Sequence, residues 1–246
     1  MQKRLDVLVC EHIGVSREYA KEIILSGKCT VAGVAVTKPG LRFAEDCVIE
    51  IHAEKLPYAS RGGIKLAHAI EKFDIGLAGR LCIDIGASTG GFTDCMLQNE
   101  AAAVIALDNG RGQLAEKLLN DPRVISMEGI NIMTLNADML PFVPSFAAVD
   151  LSFISLEKAI PKVSEVLKSG GQSVFLLKPQ FECGPRSLNK KGVVTSLSAH
   201  IAAIQKILFA IIDAGMTVRA MDFSPITGQN GNVEYLILAK KRGEPA

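Results

Sequence analysis

The chain has 246 residues, 48% of them hydrophobic, which excludes a largely disordered polymer and provides for one large domain or a medium and a small one. The formal net charge is +1, so bulk charge selects no partner class, and nucleic acid, membrane and neutral substrates all stay open. None of the six cysteines lies two or three residues from another, which excludes zinc-knuckle and redox-pair spacing and reads as reduced thiols of a cytoplasmic protein.

The first residues, Met1-Gln-Lys-Arg-Leu-Asp, lack the apolar run of a signal peptide. From Arg4 to Val9, the apolar residues Leu5, Leu8 and Val9 fall at helical spacing. Ser16 is placed to cap a second helix with Tyr19, Ala20, Ile23 and Ile24 on one face, and Gly27 to close it. Cys29–Val36 alternates around Gly33, which predicts a tight hairpin. Pro39-Gly40 is a turn, and Cys47–Ile51 a further strand. Pro57-Tyr-Ala-Ser-Arg-Gly-Gly is turn-rich and marks a boundary, giving a first domain over 1–58, a linker over 59–63 and a second domain over 64–246.

Beyond the boundary the pattern becomes strands alternating with helices. The predicted strands are Leu81–Ile85, Ala103–Leu107, Val124–Met127, Ala147–Asp150, Ser173–Leu177, Thr217–Phe223 and Val233–Ala239. The predicted helices are Phe92–Gln98, Gln113–Leu119, Leu156–Leu167 and Ala199–Ala214. Such alternation implies an α/β fold, a mostly parallel sheet covered on both faces. Only the turn Ser224–Asn232 separates the last two strands, so that pair is expected to be antiparallel. The most apolar stretch, 201–214, is interrupted by Gln205, Lys206 and Asp213 and is too short to span a bilayer.

The strand 81–85 runs into Gly86-Ala-Ser88-Thr89-Gly90-Gly91-Phe92 and then a helix. Glycines let backbone approach a ligand, and a helix N-terminus offers unpaired N–H groups. Asp108 ends the next strand, where a carboxylate can accept from ribose hydroxyls. The spacing is neither the dinucleotide pattern Gly-x-Gly-x-x-Gly nor a P-loop. Acidic Asp84 in the strand suits a cationic or zwitterionic ligand, and S-adenosylmethionine, with its ammonium and sulfonium, fits better than a pyrophosphate cofactor. Asn131 is a candidate for the adenine, with a helix N-cap as the alternative.

Asp150 and Lys178 each end an apolar strand, where open α/β sheets bind ligands. Either the sheet rim solvates them or function uses them. Arg17 and Lys21 are one helical turn apart and, with Lys3, Arg4 and Lys28, form a candidate phosphate-contact surface. Phe181 and the loop 182–194 with Arg186, Lys190 and Lys191 are candidates for covering a nucleic-acid substrate. The four histidines, His12, His52, His68 and His200, have no metal-ligand spacing, and no metal is expected.

Four blocks, Asp84-Ile-Gly-Ala-Ser-Thr-Gly-Gly-Phe-Thr-Asp94, Asp150-Leu-Ser-Phe-Ile-Ser155, Lys178-Pro-Gln-Phe-Glu182 and Gly231-Asn-Val-Glu234, resemble the TlyA (hemolysin A) family of ribosomal RNA 2′-O-methyltransferases. Arg4-Leu-Asp-Val-Leu with Ser16-Arg17, Ala20, Ile24 and Gly27 resembles the small RNA-binding domain named after ribosomal protein S-four. The resemblance covers nearly the whole chain. It implies a Rossmann-like, FtsJ-like methyltransferase domain with a seven-stranded, mostly parallel sheet and an antiparallel last strand, preceded by a small α+β RNA-binding domain. It also implies a Lys-Asp-Lys-Glu tetrad at Lys65, Asp150, Lys178 and Glu234, cytidine as the target, and ribosomal RNA or ribosomal subunits as partner. For the cofactor, the expected contacts are Asp84, Gly86, Ser88, Thr89, Gly91 and Phe92 at the methionine end and Asp108 on the ribose. Arg61 joins the RNA contacts.

In that chemistry Lys178 accepts the hydroxyl proton or stabilises the alkoxide, Asp150 and Glu234 orient it, and Lys65 positions substrate and tunes charge. The competing readings are a membrane-lytic protein, a non-catalytic ribosome-assembly factor and a dinucleotide-dependent oxidoreductase. The first two are disfavoured by the missing membrane span and by the complete tetrad, the third by the loop spacing.

Overall fold

A computed structural model describes residues 2–15, 17–53 and 56–243. The chain divides into two compact units, 1–61 and 62–246, at a point inside the expected linker.

In the N-terminal unit, strand β1 (Gln2–Arg4) leads into helices α1 (Leu5–Ile13) and α2 (Arg17–Leu25), followed by β2 (Cys29–Val31), β3 (Val34–Ala35), β4 (Arg42–Ala44) and β5 (Ile49–Ile51). Arg4, read from sequence as helical, is extended and pairs with Arg42, so α1 begins one residue later. The strand gave no periodic signal because its residues are all polar. The expected Ser16 cap lies outside the described residues. The hairpin turns through Ala32 and Gly33, both at positive φ (49° and 77°), as a two-residue turn between right-twisted strands requires. Leu5, Val9, Ala20, Ile23, Ile24, Cys29 and Val31 form its core.

In the second unit, α3 (Gly62–Lys72) precedes the sheet. The Gly-Gly pair reads as a turn, yet it forms the helix's first turn, and Leu66 and Ala69 bury the inward face. Then come β6 (Leu81–Ile85), α4 (Gly91–Gln98), β7 (Ala103–Asp108), α5 (Glu116–Leu119), β8 (Val124–Glu128) and β9 (Phe146–Val149). They are followed by α6 (Leu156–Val166), β10 (Gln172–Leu177), α7 (Pro179–Glu182), α8 (Leu197–Asp213), β11 (Met216–Phe223) and β12 (Tyr235–Lys241). The sheet order is β11-β12-β10-β9-β6-β7-β8, and β12 alone runs antiparallel to its neighbours. The central strands are mostly apolar because both faces are covered, with Asp84 in β6 a buried exception. Ile83, Ile85, Ala147, Val149, Phe175, Leu177 and Ile237 pack with Ile160, Val163, Ile207 and Ile211 of α6 and α8. Alternate residues, such as Cys82, Val104, Ala148 and Val174, are buried on the opposite side.

Candidate active site

The functional side chains collect where the parallel strands end. Asp150 follows β9, and its N–H donates to the Ile85 carbonyl at 2.9 Å, which pins it beside the end of β6. Lys178 follows β10. Its Nζ lies 2.5 Å from Asp150 Oδ1 and donates to Ser152 Oγ at 3.1 Å. The last register pair of β10 and β12 is Leu177 with Tyr235, so Lys178 and Glu234 come one step beyond it on neighbouring strands. From α3, Lys65 Nζ donates to Glu234 Oε2 at 2.5 Å, and both side chains are buried. The four expected residues therefore form two lysine–carboxylate pairs on one rim. Gly228 is required here, because a Cβ at that position would collide with the Glu234 carboxylate.

The glycine loop is held from within. Gly86 (φ 91°) passes so near the Asp150 carbonyl that any side chain would collide with it. Asp84 is fully buried in β6, and its Oδ2 accepts from Thr93 N–H and Oγ at 2.8 and 2.7 Å, tying the strand to the first turn of α4. Its Oδ1 has no hydrogen-bond partner among the described residues. Burial raises the Asp84 pKa to about 7, against the Thr93 hydrogen bonds and with help from the Asp150 and Asp108 charges. A buried, unpartnered carboxylate oxygen beside a glycine-rich loop fits a ligand that brings an ammonium group.

Asp108 ends β7. Its Oδ2 accepts from Ser88 N–H at 2.8 Å and its Oδ1 from Gly110 N–H at 2.7 Å. Glu128, one strand over, accepts from Gly112 and Gln113 N–H at 2.8 and 3.1 Å, bonds that hold its pKa below the usual range. Gln113 in turn meets the Ser88 hydroxyl at 3.2 Å. Gly91 and Phe92 are buried in the first turn of α4, and Thr89 is half-buried. Asn131 accepts from Met133 N–H at 2.9 Å and caps a short 3-10 helix, the alternative left open in the sequence.

Phe153 lies inside the Asp150–Ser155 block, but the sequence assigns it no role. It is 93% exposed and sits at φ 66°, a left-handed backbone that a bulky residue rarely adopts. Its ring lies 5.4 Å from that of Phe181, and Lys178 Nζ is 5.9 Å from the Phe181 centroid. The left-handed turn thus keeps an aromatic face in solvent beside the Asp150–Lys178 pair.

Beyond Phe181, Arg186, Lys190 and Lys191 are exposed. The Asn189 side chain accepts from Lys191 and Val193 N–H, while Asn232 accepts from Val194 N–H and donates to the Gly192 carbonyl. Buried His200 bridges the Val194 carbonyl at 3.1 Å and the Tyr235 hydroxyl at 2.9 Å. The loop is therefore tethered to the segment that carries Glu234.

In the N-terminal unit the expected phosphate contacts have internal partners. Arg4 and Arg17 both bind the buried Asp6, at 2.9 and 3.1 Å. Lys3 pairs with Glu11 and Glu45, and Arg61 with Glu22. No ion pair of Lys21 or Lys28 is seen among the described residues. The described residues also hold no group of three or more His, Cys, Asp or Glu side chains placed for a metal, and no helix long and apolar enough to cross a membrane.

Residues 58–241 match the FtsJ-like methyltransferase family. The chain is 35% identical over 97% of its length to the 16S/23S rRNA (cytidine-2′-O)-methyltransferase TlyA of Mycobacterium tuberculosis, covering 90% of that protein. It is 40% identical to Hemolysin A of Brachyspira hyodysenteriae, covering 95% of this chain and 98% of that one. A solved structure from Streptococcus thermophilus, described as a hemolysin, superposes with a TM-score of 0.81 at 40% identity, over 99% of this chain and 90% of that one. The chain belongs to the FtsJ-like methyltransferase family.

Proposed function

We propose that this FtsJ-like methyltransferase methylates a ribose 2′-hydroxyl of ribosomal RNA, at a cytidine, in the cytoplasm. The observation that carries the reading is the convergence of the Asp150–Lys178 and Lys65–Glu234 pairs on the strand rim that also holds the Gly86 loop. The relatives named as rRNA cytidine-2′-O-methyltransferases support the choice of substrate.

S-adenosylmethionine, when bound, supplies an activated methyl group on a sulfonium, so the protein's task is chiefly placement. Asp84 Oδ1 would hold its ammonium, the backbone of the Gly86–Gly91 loop would lie along it, and Asp108 would accept from its ribose. On the substrate side, the Asp150 carboxylate holds the Lys178 ammonium in place. Lys178 Nζ would donate to the 2′-oxygen as negative charge develops there, and the Asp150 carboxylate, the base of the pair, would take the hydroxyl proton as the methyl group is transferred. Glu234 keeps Lys65 directed at the same rim as a second cation for the substrate. The exposed Phe153 ring offers a stacking surface to the target base, and Lys190, Lys191 and Arg186 meet flanking phosphates. The N-terminal unit grips folded RNA through Lys21 and Lys28, with Arg4, Arg17, Lys3 and Arg61 shared between internal carboxylates and phosphate.

Purified protein incubated with ribosomal subunits and labelled S-adenosylmethionine should place the label on a ribose 2′-oxygen, located by mapping the modified nucleotide. Label on a base, or on no RNA at all, would reject the reading. The same preparation should leave liposomes intact; leakage would instead support the lytic activity implied by the relatives' hemolysin names.

A further inference from the structure

Glu182 closes the Lys178-Pro-Gln-Phe-Glu182 segment and takes no part in the chemistry above. Its side chain is 2% exposed, an unfavourable place for a carboxylate without several partners. Oε1 accepts from the Leu156 N–H at 2.7 Å, and Oε2 meets the Ser155 hydroxyl at 2.5 Å. From α8, Lys206 Nζ lies 3.4 Å from Glu182 Oε2, 3.2 Å from Ser155 Oγ and 2.9 Å from Glu157 Oε2. Burial opposes the charge on Lys206, and Glu157 and Glu182 overcome it, holding its pKa above the usual lysine value.

These contacts have a topological meaning. The segment 150–155 leaves β9 and the segment 178–182 leaves the adjacent strand β10. Asp150 and Lys178 join the two at the strand ends. Glu182 joins them again at their far ends, through Ser155 and Leu156. Between the two joints lie Ser152, Phe153 and Phe181, the groups that touch Lys178 or each other. A pair of loops joined once can hinge about the joint, whereas a pair joined at both ends cannot. An apolar residue at this position could pack α6 on α8 equally well, but it would leave the loops independent.

We propose that Glu182 is a positioning residue: it locks the two loops into one frame that sets the Asp150–Lys178 pair against the Phe153–Phe181 face. The proposal rests on the reading given under Proposed function. It assigns Glu182 no contact with substrate or cofactor.

The test compares Glu182→Ala, Glu182→Gln and Glu157→Gln in the full-length protein. Three quantities are measured: kcat on ribosomal subunits, S-adenosylmethionine affinity by calorimetry, and amide exchange over 150–156 and 178–183. Glu182→Ala should lower kcat about 30- to 100-fold, as expected when reacting groups lose about an ångström of placement. Its S-adenosylmethionine affinity should stay within about twofold, because the Asp84 and Asp108 contacts are on other strands. Exchange should quicken in both loops. Glu182→Gln, which keeps an acceptor for the Leu156 N–H, should recover most of the rate. Glu157→Gln removes only the exposed partner of Lys206 and should behave as wild type.

The proposal is overturned if Glu182→Ala keeps its rate, if Glu157→Gln loses as much, or if cofactor affinity collapses along with kcat. If Glu182→Ala does not fold, Glu182→Asp carries the test by drawing the tie back one methylene: lower kcat at constant affinity supports the proposal, and unchanged kcat overturns it. Should wild-type protein leave ribosomal RNA unmodified, the substrate reading fails by itself. The exchange measurement then decides the tie, with faster exchange in both loops supporting it and unchanged exchange overturning it.

Discussion

The two units handle buried charge in opposite ways. In the N-terminal unit the buried Asp6 is covered by Arg4 and Arg17, whose guanidiniums reach back from the surface. Those cations help hold the unit together, and their pairing holds the Asp6 pKa below the usual range, through Arg4 first, against the cost of burial. In the methyltransferase unit the buried charges Lys65, Glu234 and Asp84 crowd one rim of the sheet. A sheet covered on both faces leaves only its strand ends open, so groups that must meet a substrate are forced there. A charge of the first kind serves folding, whereas one of the second kind is a cost to folding that a ligand offsets.

That contrast can be broken by experiment, starting where the effect is largest. Lys178→Ala should lower methyl transfer about 10³-fold with cofactor affinity preserved, as measured by single-turnover transfer of label; near-normal transfer would remove the lysine from the chemistry. Phe153→Ala should weaken RNA engagement about tenfold, seen as a higher KM for ribosomal subunits, while Phe153→Tyr should retain it, since stacking needs the ring and not its identity.

Asp84 gives a sign test. Its folded pKa is raised to about 7, so below that pH it holds a proton that a ligand ammonium must displace. S-adenosylmethionine affinity should fall about tenfold per pH unit below 7, with proton uptake or release on binding read by calorimetry in buffers of different ionisation enthalpy. Without ligand, stability should move the other way. A raised acid pKa contributes stability that is full below the ordinary aspartate value of 3.8 and is lost as pH rises to about 7, so the melting temperature should drop between those values and level off above. Asp84→Asn should flatten both profiles.

The smallest effect is expected at the other kind of charge. Asp6→Asn should destabilise the N-terminal unit by about 1.5 kcal/mol, the low end for hydrogen bonds to a charged group, because its arginines are half-exposed and can turn to water. Cofactor binding should be untouched. A large loss of cofactor affinity in Asp6→Asn would erase the distinction between the units.

The strands of the main sheet were legible because a buried parallel strand is a nearly continuous apolar run, and β6 occupies the predicted span, Leu81–Ile85, with Asp84 its one charged residue. Segments whose identity depends on distant partners were not. Gln2–Arg4 is a strand only because Arg42–Ala44 lies beside it. Gly62-Gly63 looks like a turn until Leu66 and Ala69 are seen to need burial. Asp150 and Lys178 could be picked out as charges at the ends of apolar runs, whereas Lys65 and Glu234 came only with the family resemblance, and their pairing across 169 positions leaves no local trace. Phe153 is one letter of the Asp150–Ser155 block, and its exposure goes with a left-handed backbone that no composition predicts. Glu182, read as the start of a loop over the substrate, is instead buried against Ser155, Leu156 and Lys206.

The place of β12 has a consequence for synthesis. It sits between β10 and β11, so β11 leaves the ribosome before the strand that will hold it in the sheet exists. Glu234, immediately ahead of β12, emerges at the same late moment. Until then a nascent chain has β10 with one bare edge and Lys65 without its carboxylate. It cannot yet assemble the rim. The rim is completed in one step, when a single strand enters the sheet and brings its last charged group with it.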